Sequence, residues 1–437
     1  LIDGFGDTIL GQATLSDNPF AFALSSNGGT GFNLNGNETA GNTSGLENNF
    51  TLNSYPVTAG SSSTSGLRTQ IVSNSTIPAS AFPFNGISTA NAFYLIEPYS
   101  DPVTGLSTSL AGGKSAANQA FVGEFTSTPP ALLQEIQVAP NPVNFAGTSG
   151  GPRVYVISQG STAGGPLANA NACNTPGSVT TNGEVDSLEV TTNTVSKQIP
   201  VGICPVYGIE SADYLRAFIL NRGSGTISVI NAQSNAPDAT TPTITVGAGP
   251  VFADLYSPSS LLVTANYDSN TVSVINVPTD IYDNDAPTFG TVTTIPVGKG
   301  PVALTILRDG SRAYVANQLD GTVSVVNLTN FTVTKTITLP PASSGGISQP
   351  RSIASVFSSP AGSVYVASPN SNTLTVINTE TETVSASVLL PANAVSVYST
   401  TQNVSSTSSV NSIVNSNASG RGTPCAASDS SPFCPAQ

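Results

Sequence analysis

Ser269–Asn276 reads SNTVSVIN, and near copies recur as SGTISVIN from Ser224, DGTVSVVN from Asp320 and SNTLTVIN from Ser371. Each copy follows a run rich in β-branched and aromatic residues: RAFILN ending at Asn221, LLVTAN at Asn266, RAYVAN at Asn317 and SVYVAS at Ser368. Between the two runs lies a turn of Gly, Asn or Asp, residues that tolerate positive φ. The pattern predicts one β-hairpin written four times.

A further strand follows each hairpin and ends in a stereotyped exit: IPVGICPV, ITVGAGPV or IPVGKGPV. The Pro of that exit opens the next strand, where its missing N–H does least harm. In matching contexts it stands at Pro19, Pro83, Pro142, Pro205, Pro250, Pro301 and Pro350. Units of four strands at a period of about 45–50 residues are the signature of a β-propeller.

RAYVANQLDGTVSVVN and SVYVASPNSNTLTVIN resemble the YVTN-repeat seven-bladed β-propellers of bacterial and archaeal surface proteins. The resemblance is fullest over residues 205–390, thinner over 130–204 and thinnest before that. It implies an all-β fold: a seven-bladed β-propeller of four-stranded blades, spanning residues 19–398. Residues 1–18 then form an N-terminal strand, and residues 399–437 a Ser/Thr/Asn-rich tail. GTGFNLN, NNFTLN and RTQIV supply strands of the first blade, and AFYLIEP, QAFVGEF and LLQEIQV those of the second. The polar insertions Asn35–Asn48 and Gly60–Gly66 are expected as rim loops.

The strand count leaves a surplus. DTILGQ (Asp7–Gln12) precedes the first blade, and ANAVSVYST follows Pro391 as if to begin an eighth. DTILGQ either closes the ring or joins a sheet edge of a neighbouring molecule. The latter is a head-to-tail contact that can propagate into a filament.

Charged residues make up 8% of the 437-residue chain, against about a quarter in ordinary globular proteins. Ser, Thr, Asn, Gln and Gly must therefore cover the surface, as in secreted and cell-surface proteins. A net charge of −13 argues against a nucleic-acid partner, which needs a basic surface. The chain contains no His, Met or Trp. The missing Met points to an end processed by signal-peptide removal, and no apolar run is long enough for a transmembrane segment. These features place the protein outside the cell or on its surface.

Cys173 and Cys204 flank a long insertion, and Cys425 and Cys434 lie near the end of the tail. Neither pair has CxxC spacing, and without His a zinc site is disfavoured. Two disulfides are the expected use, with four free thiols as the alternative.

No His exists to activate a Ser or Cys nucleophile, and Lys114, Lys299 and Lys335 sit in no recognisable catalytic motif. The expectation is a chain that is not an enzyme, with no catalytic or cofactor-binding residues. A propeller lactonase or hydrolase is the least favoured reading. Calcium needs only oxygen ligands. DIYDNDAP, with Asp280, Asp283 and Asp285, is the weak candidate for it, solvated turn aspartates being the commoner origin of such a cluster. Sequons occur at Asn37, Asn42, Asn49, Asn74, Asn327, Asn330, Asn403 and Asn417, several of them in expected rim loops or the tail.

The functional expectation is a non-enzymatic extracellular structural propeller that self-associates through terminal strands or tail. The alternative is a binding or adhesion module that engages surface glycans or proteins with its rim loops or channel.

Overall fold

In the computed structural model the opening repeat is the strand Thr271–Asn276, paired antiparallel with Leu261–Asn266 across a turn at 267–270. The structure describes residues 132–147, 151–160, 173, 175–280, 282–356, 362–390 and 397, with strand segments between Ile2 and Phe125. Within these residues the chain is all-β apart from short helical turns, and hairpin follows hairpin. Seven antiparallel sheets form at 19–78, 85–138, 142–203, 205–245, 250–296, 301–338 and 352–389. Six have four strands, and the fourth has five because Ala236–Pro237 and Thr243–Thr245 both pair with Thr226–Asn231. The chain divides into two compact units, built mainly on residues 10–208 and 209–412.

Each of three repeats ends its second strand with an Asn whose role is to staple. Asn221, Asn266 and Asn317 are fully buried. The Asn266 side-chain amide donates to Thr271 Oγ1 at 3.1 Å and to Ser273 Oγ at 3.0 Å. Asn317 does the same to Thr322 and Ser324, and Asn221 to Thr226 and Ser228. A buried amide without partners would be destabilising by a few kcal/mol, so the T-x-S of the next strand supplies acceptors for the donor side of the Asn amide.

The staple also locks neighbouring sheets together. Gly247 N donates to Ser273 Oγ at 3.3 Å and Gly298 N to Ser324 Oγ at 3.4 Å. A β-carbon on Gly298 would stand 2.6 Å from Asn317 Nδ2, and one on Gly247 2.5 Å from Thr271 Oγ1. The Val-Gly exit and the T-x-S strand are thus two halves of one joint, which is why they recur together.

Apolar residues fill the space between sheets. Val302, Tyr314 and Val325 of the sixth sheet pack with Ile353, Val364 and Val366 of the seventh. Blade-like sheets covered on both faces read as nearly continuous apolar runs, as TVSVIN and RAYVAN do.

Several expectations are corrected by the observed strands. Pro19, Pro142, Pro205, Pro250 and Pro301 are first residues of strands. The second and seventh sheets instead begin at Asn85 and Ser352, two residues beyond Pro83 and Pro350. Asn35–Asn37 do not belong to a loop: the strand Thr30–Asn37 runs on, pairing Asn37 with Asn49. The last strand of the first sheet is Ser73–Pro78, and RTQIV lies outside the described residues.

Thr8–Ile9, from the DTILGQ segment, pairs with Ile2–Asp3 in a separate two-stranded sheet. From ANAVSVYST only Val397 is described. Its N–H donates to Ser352 Oγ at 3.1 Å, and it packs against the Tyr365, Ala367, Leu374 and Val376 cluster.

Candidate functional site

The aspartates of DIYDNDAP occupy the loop between Thr271–Asn276 and Val292–Pro296. Asp280 organises that loop. Its Oδ1 accepts from the N–H groups of Tyr282 at 2.8 Å and Asn284 at 2.9 Å, and Oδ2 accepts from Asn284 Nδ2 at 3.1 Å. These hydrogen bonds, the Asn284 side chain foremost, hold the carboxyl below its usual range.

Asp283 and Asp285 turn the other way, onto Arg216. The guanidinium meets Asp283 Oδ1 at 2.6 Å, Asp285 Oδ1 at 3.1 Å and Asp238 Oδ2 at 3.0 Å. It also donates to the Asp283 carbonyl at 2.9 Å. Arg216 is 3% exposed and Asp238 4%. Burial raises the Asp285 pKa above the ordinary aspartate value, and the Arg216 hydrogen bond only partly offsets it. The three calcium candidates therefore do not converge on one point. Two of them neutralise a buried cation that lies more than sixty residues away in sequence, and among the described residues no group is arranged to hold a metal.

This bracing fixes the tip of the loop. Tyr282, between Asp280 and Asp283, is 78% exposed, while its own N–H and that of Asn284 are held by Asp280 Oδ1. Exposed aromatic side chains are common binding hot spots.

A second polar feature lies on the first strand of the fifth sheet. Asp254 Oδ1 accepts from Leu255 N and Oδ2 from Ile306 N of the sixth sheet, both at 2.9 Å. The residue is half-buried, and desolvation of its carboxylate pushes the pKa up to about 6 despite the two backbone donors. In the next two sheets, Thr305 and Ser355 join hydroxyls at 3.1 Å.

Cys173 and Cys204 form a disulfide with Cα atoms 5.5 Å apart, within a cluster that includes Val179. Cys425 and Cys434 lie outside the described residues, as do Lys114, Asn42, Asn403 and Asn417. The Lys299 backbone N–H donates to Asp320 Oδ2, and Lys335 Nζ to the Thr381 carbonyl. Asn37 falls in a strand, not in the expected rim loop, and Asn49 and Asn74 also lie in strands. Asn327 Oδ1 caps the following turn by accepting from the N–H groups of Thr329 and Asn330, and Asn330 is exposed.

No family model matches the chain, and no curated protein matches it in sequence. Solved structures do match in shape. AztD of Citrobacter koseri aligns at a TM-score of 0.54 and 10% identity, over 90% of this chain and 92% of its own. The periplasmic gluconolactonase PpgL of Pseudomonas aeruginosa aligns at a TM-score of 0.50 and 15% identity, over 83% of this chain and 97% of its own. Both are β-propellers. The chain has a β-propeller fold.

The likeness to a gluconolactonase corrects the expectation that this chain is not an enzyme. A protein of this fold is a gluconolactonase, so the fold does not exclude an enzyme here. Among the described residues no helix is long and apolar enough to cross a membrane. Together with the disulfide, this is compatible with an extracellular or periplasmic location.

Proposed function

We propose that this β-propeller is seven-bladed, of the YVTN-repeat kind, and serves outside the cytoplasm as a structural surface protein that self-associates through its terminal strands. The observation that carries this reading is the two-stranded sheet of Ile2–Asp3 and Thr8–Ile9, which belongs to none of the larger sheets. Among the described residues each larger sheet is built from consecutive segments of the chain. In this reading the N-terminal segment joins an edge on a neighbouring copy, a head-to-tail contact. A weakly charged surface supports long exposure to the medium and close approach of like copies.

Negative-stain electron microscopy of the full chain, beside a variant lacking residues 1–13, tests it. Filaments present in the full chain and absent from the truncation are expected. Single particles in both preparations would end the strand-donation reading.

A second reading is favoured by Tyr282: its exposed ring, on a loop organised by Asp280, suits a propeller that binds a glycan or a protein through a rim loop. Tyr282→Ala is then expected to abolish adhesion to a surface partner while leaving the melting temperature unchanged.

A further inference from the structure

Among the described residues the last strand of each larger sheet has no partner along its outer edge, and six of the seven carry a device that discourages pairing. Thr194–Ile203 has Lys197 and Pro200, Thr332–Thr338 has Lys335, and Leu132–Val138 has Glu135. Val292–Pro296 and Ser73–Pro78 end in proline, and Thr243–Thr245 is only three residues long. Charge, proline and shortness are the usual protections of a sheet edge. Thr383–Leu389, TVSASVL, has none of them over seven residues.

This strand lies at the free edge of the seventh sheet. Exposure alternates along it: Thr383, Ser385, Ser387 and Leu389 face solvent, with Leu389 67% exposed, while Val384, Ala386 and Val388 are half-buried. A bulge sets Ser385 out of register with Thr373–Asn378, but the same irregularity occurs in Thr332–Thr338 and Thr194–Ile203. The bulge therefore does not set this edge apart. The joint absence of charge, proline and shortness does.

The central residues Val384–Val388 read V-S-A-S-V, the same in both directions. Antiparallel pairing of two such strands about Ala386 places Val384 opposite Val388, Ser385 opposite Ser387 and Ala386 opposite itself. Like meets like at every position, with no charge at the joint, and cross-strand pairs of matched kind favour pairing. Register is what a flat polar strand ordinarily fails to specify; here the palindrome and the apolar alternation select one.

We propose that two copies of the chain join edge to edge through Thr383–Leu389, forming a closed two-fold dimer with one continuous sheet across it. The proposal shares the premise of self-association made above but not its terminal strands, since it names a different and non-propagating contact.

Sedimentation velocity of the full chain across a dilution series tests it, with Ser387→Lys and Thr336→Lys as variants. Ser387 pairs with Thr375, and Thr336 occupies the corresponding place opposite Ser324 in the sixth sheet. A reversible dimer is expected for the unaltered chain, weakened at least about tenfold by Ser387→Lys and unchanged by Thr336→Lys, with all three circular dichroism spectra alike. A monomer at every concentration, an undiminished dimer in Ser387→Lys, or equal loss in both variants would overturn it. Deleting residues 1–13 separates the two readings: a dimer that survives the deletion and yields to Ser387→Lys upholds this contact even if strand donation fails.

Discussion

Gly298 and Asn317 stand so close that a β-carbon on the glycine would lie 2.6 Å from the asparagine Nδ2. The glycine belongs to the exit of the fifth sheet and the asparagine to the second strand of the sixth, so the contact is a joint between sheets. Gly298→Ala must push the amide off Thr322 and Ser324 or move the exit loop. A loss of about 1–3 kcal/mol is expected, measured by chemical denaturation. Alanine tolerated without loss would show that the joint has slack and that the recurrent Val-Gly serves something else.

Arg216→Ala removes the cation that faces Asp238, Asp283 and Asp285. Leaving buried carboxylates uncompensated should destabilise the fold by about 3–5 kcal/mol. The deficit has a defined pH dependence. Asp285 already has a raised pKa through burial, and without the guanidinium it rises further. A carboxyl with a raised folded pKa binds its proton preferentially in the folded state, so its contribution is fullest in acid and is lost as pH rises. The variant should therefore lie closest to the unaltered protein at mildly acidic pH and fall furthest behind at neutral pH. A pH-independent deficit would mean that lost packing, not charge, is responsible.

Asp254 makes the same kind of claim for the intact chain. Its pKa moves from 3.8 to about 6, so its contribution to stability is present in full below 3.8 and declines as pH rises through about 6. The decline is about 2–3 kcal/mol, since each tenfold change in proton affinity corresponds to roughly 1.4 kcal/mol. Carboxyl-carbon titration by NMR should find one aspartate with a midpoint near 6, missing in Asp254→Asn. If every aspartate carbon titrates in the ordinary range, the site is better hydrated than its hydrogen bonds suggest.

Cys173–Cys204 closes a loop with a sequence separation of 31. Replacing both by Ser should lower stability by about 3–4 kcal/mol if chain entropy governs the effect. Equal denaturation midpoints for the two proteins would place the benefit elsewhere, in protection of the loop from proteolysis.

The repeated hairpin is legible from the chain alone because both of its signals are local. The β-branched runs TVSVIN and RAYVAN, and turn residues such as Asn270 and Gly321 that adopt positive φ, act over fewer than ten residues. The disulfide between Cys173 and Cys204 is legible for a similar reason: two cysteines flank one insertion. The hairpins RAFILN–TISVIN, LLVTAN–TVSVIN and RAYVAN–TVSVVN fall where the pattern puts them. Earlier, where the motif is thin, the pattern places a loop at Asn35–Asn37 that is strand.

By itself, then, the sequence determined the strand, its hairpin partner and the all-β class, since backbone preference and side-chain periodicity are properties of neighbours in the chain. Only the tertiary structure decided what the polar residues do. Asp280, Asp283 and Asp285 read as one cluster of oxygens until packing brings Arg216 against two of them and divides the group. Asn266 and Asn317 read as landmarks until the next strand and the preceding sheet's glycine close around their amides. A buried charge or amide must be satisfied by whatever the fold carries to it, and those partners lie at distances that no local pattern encodes.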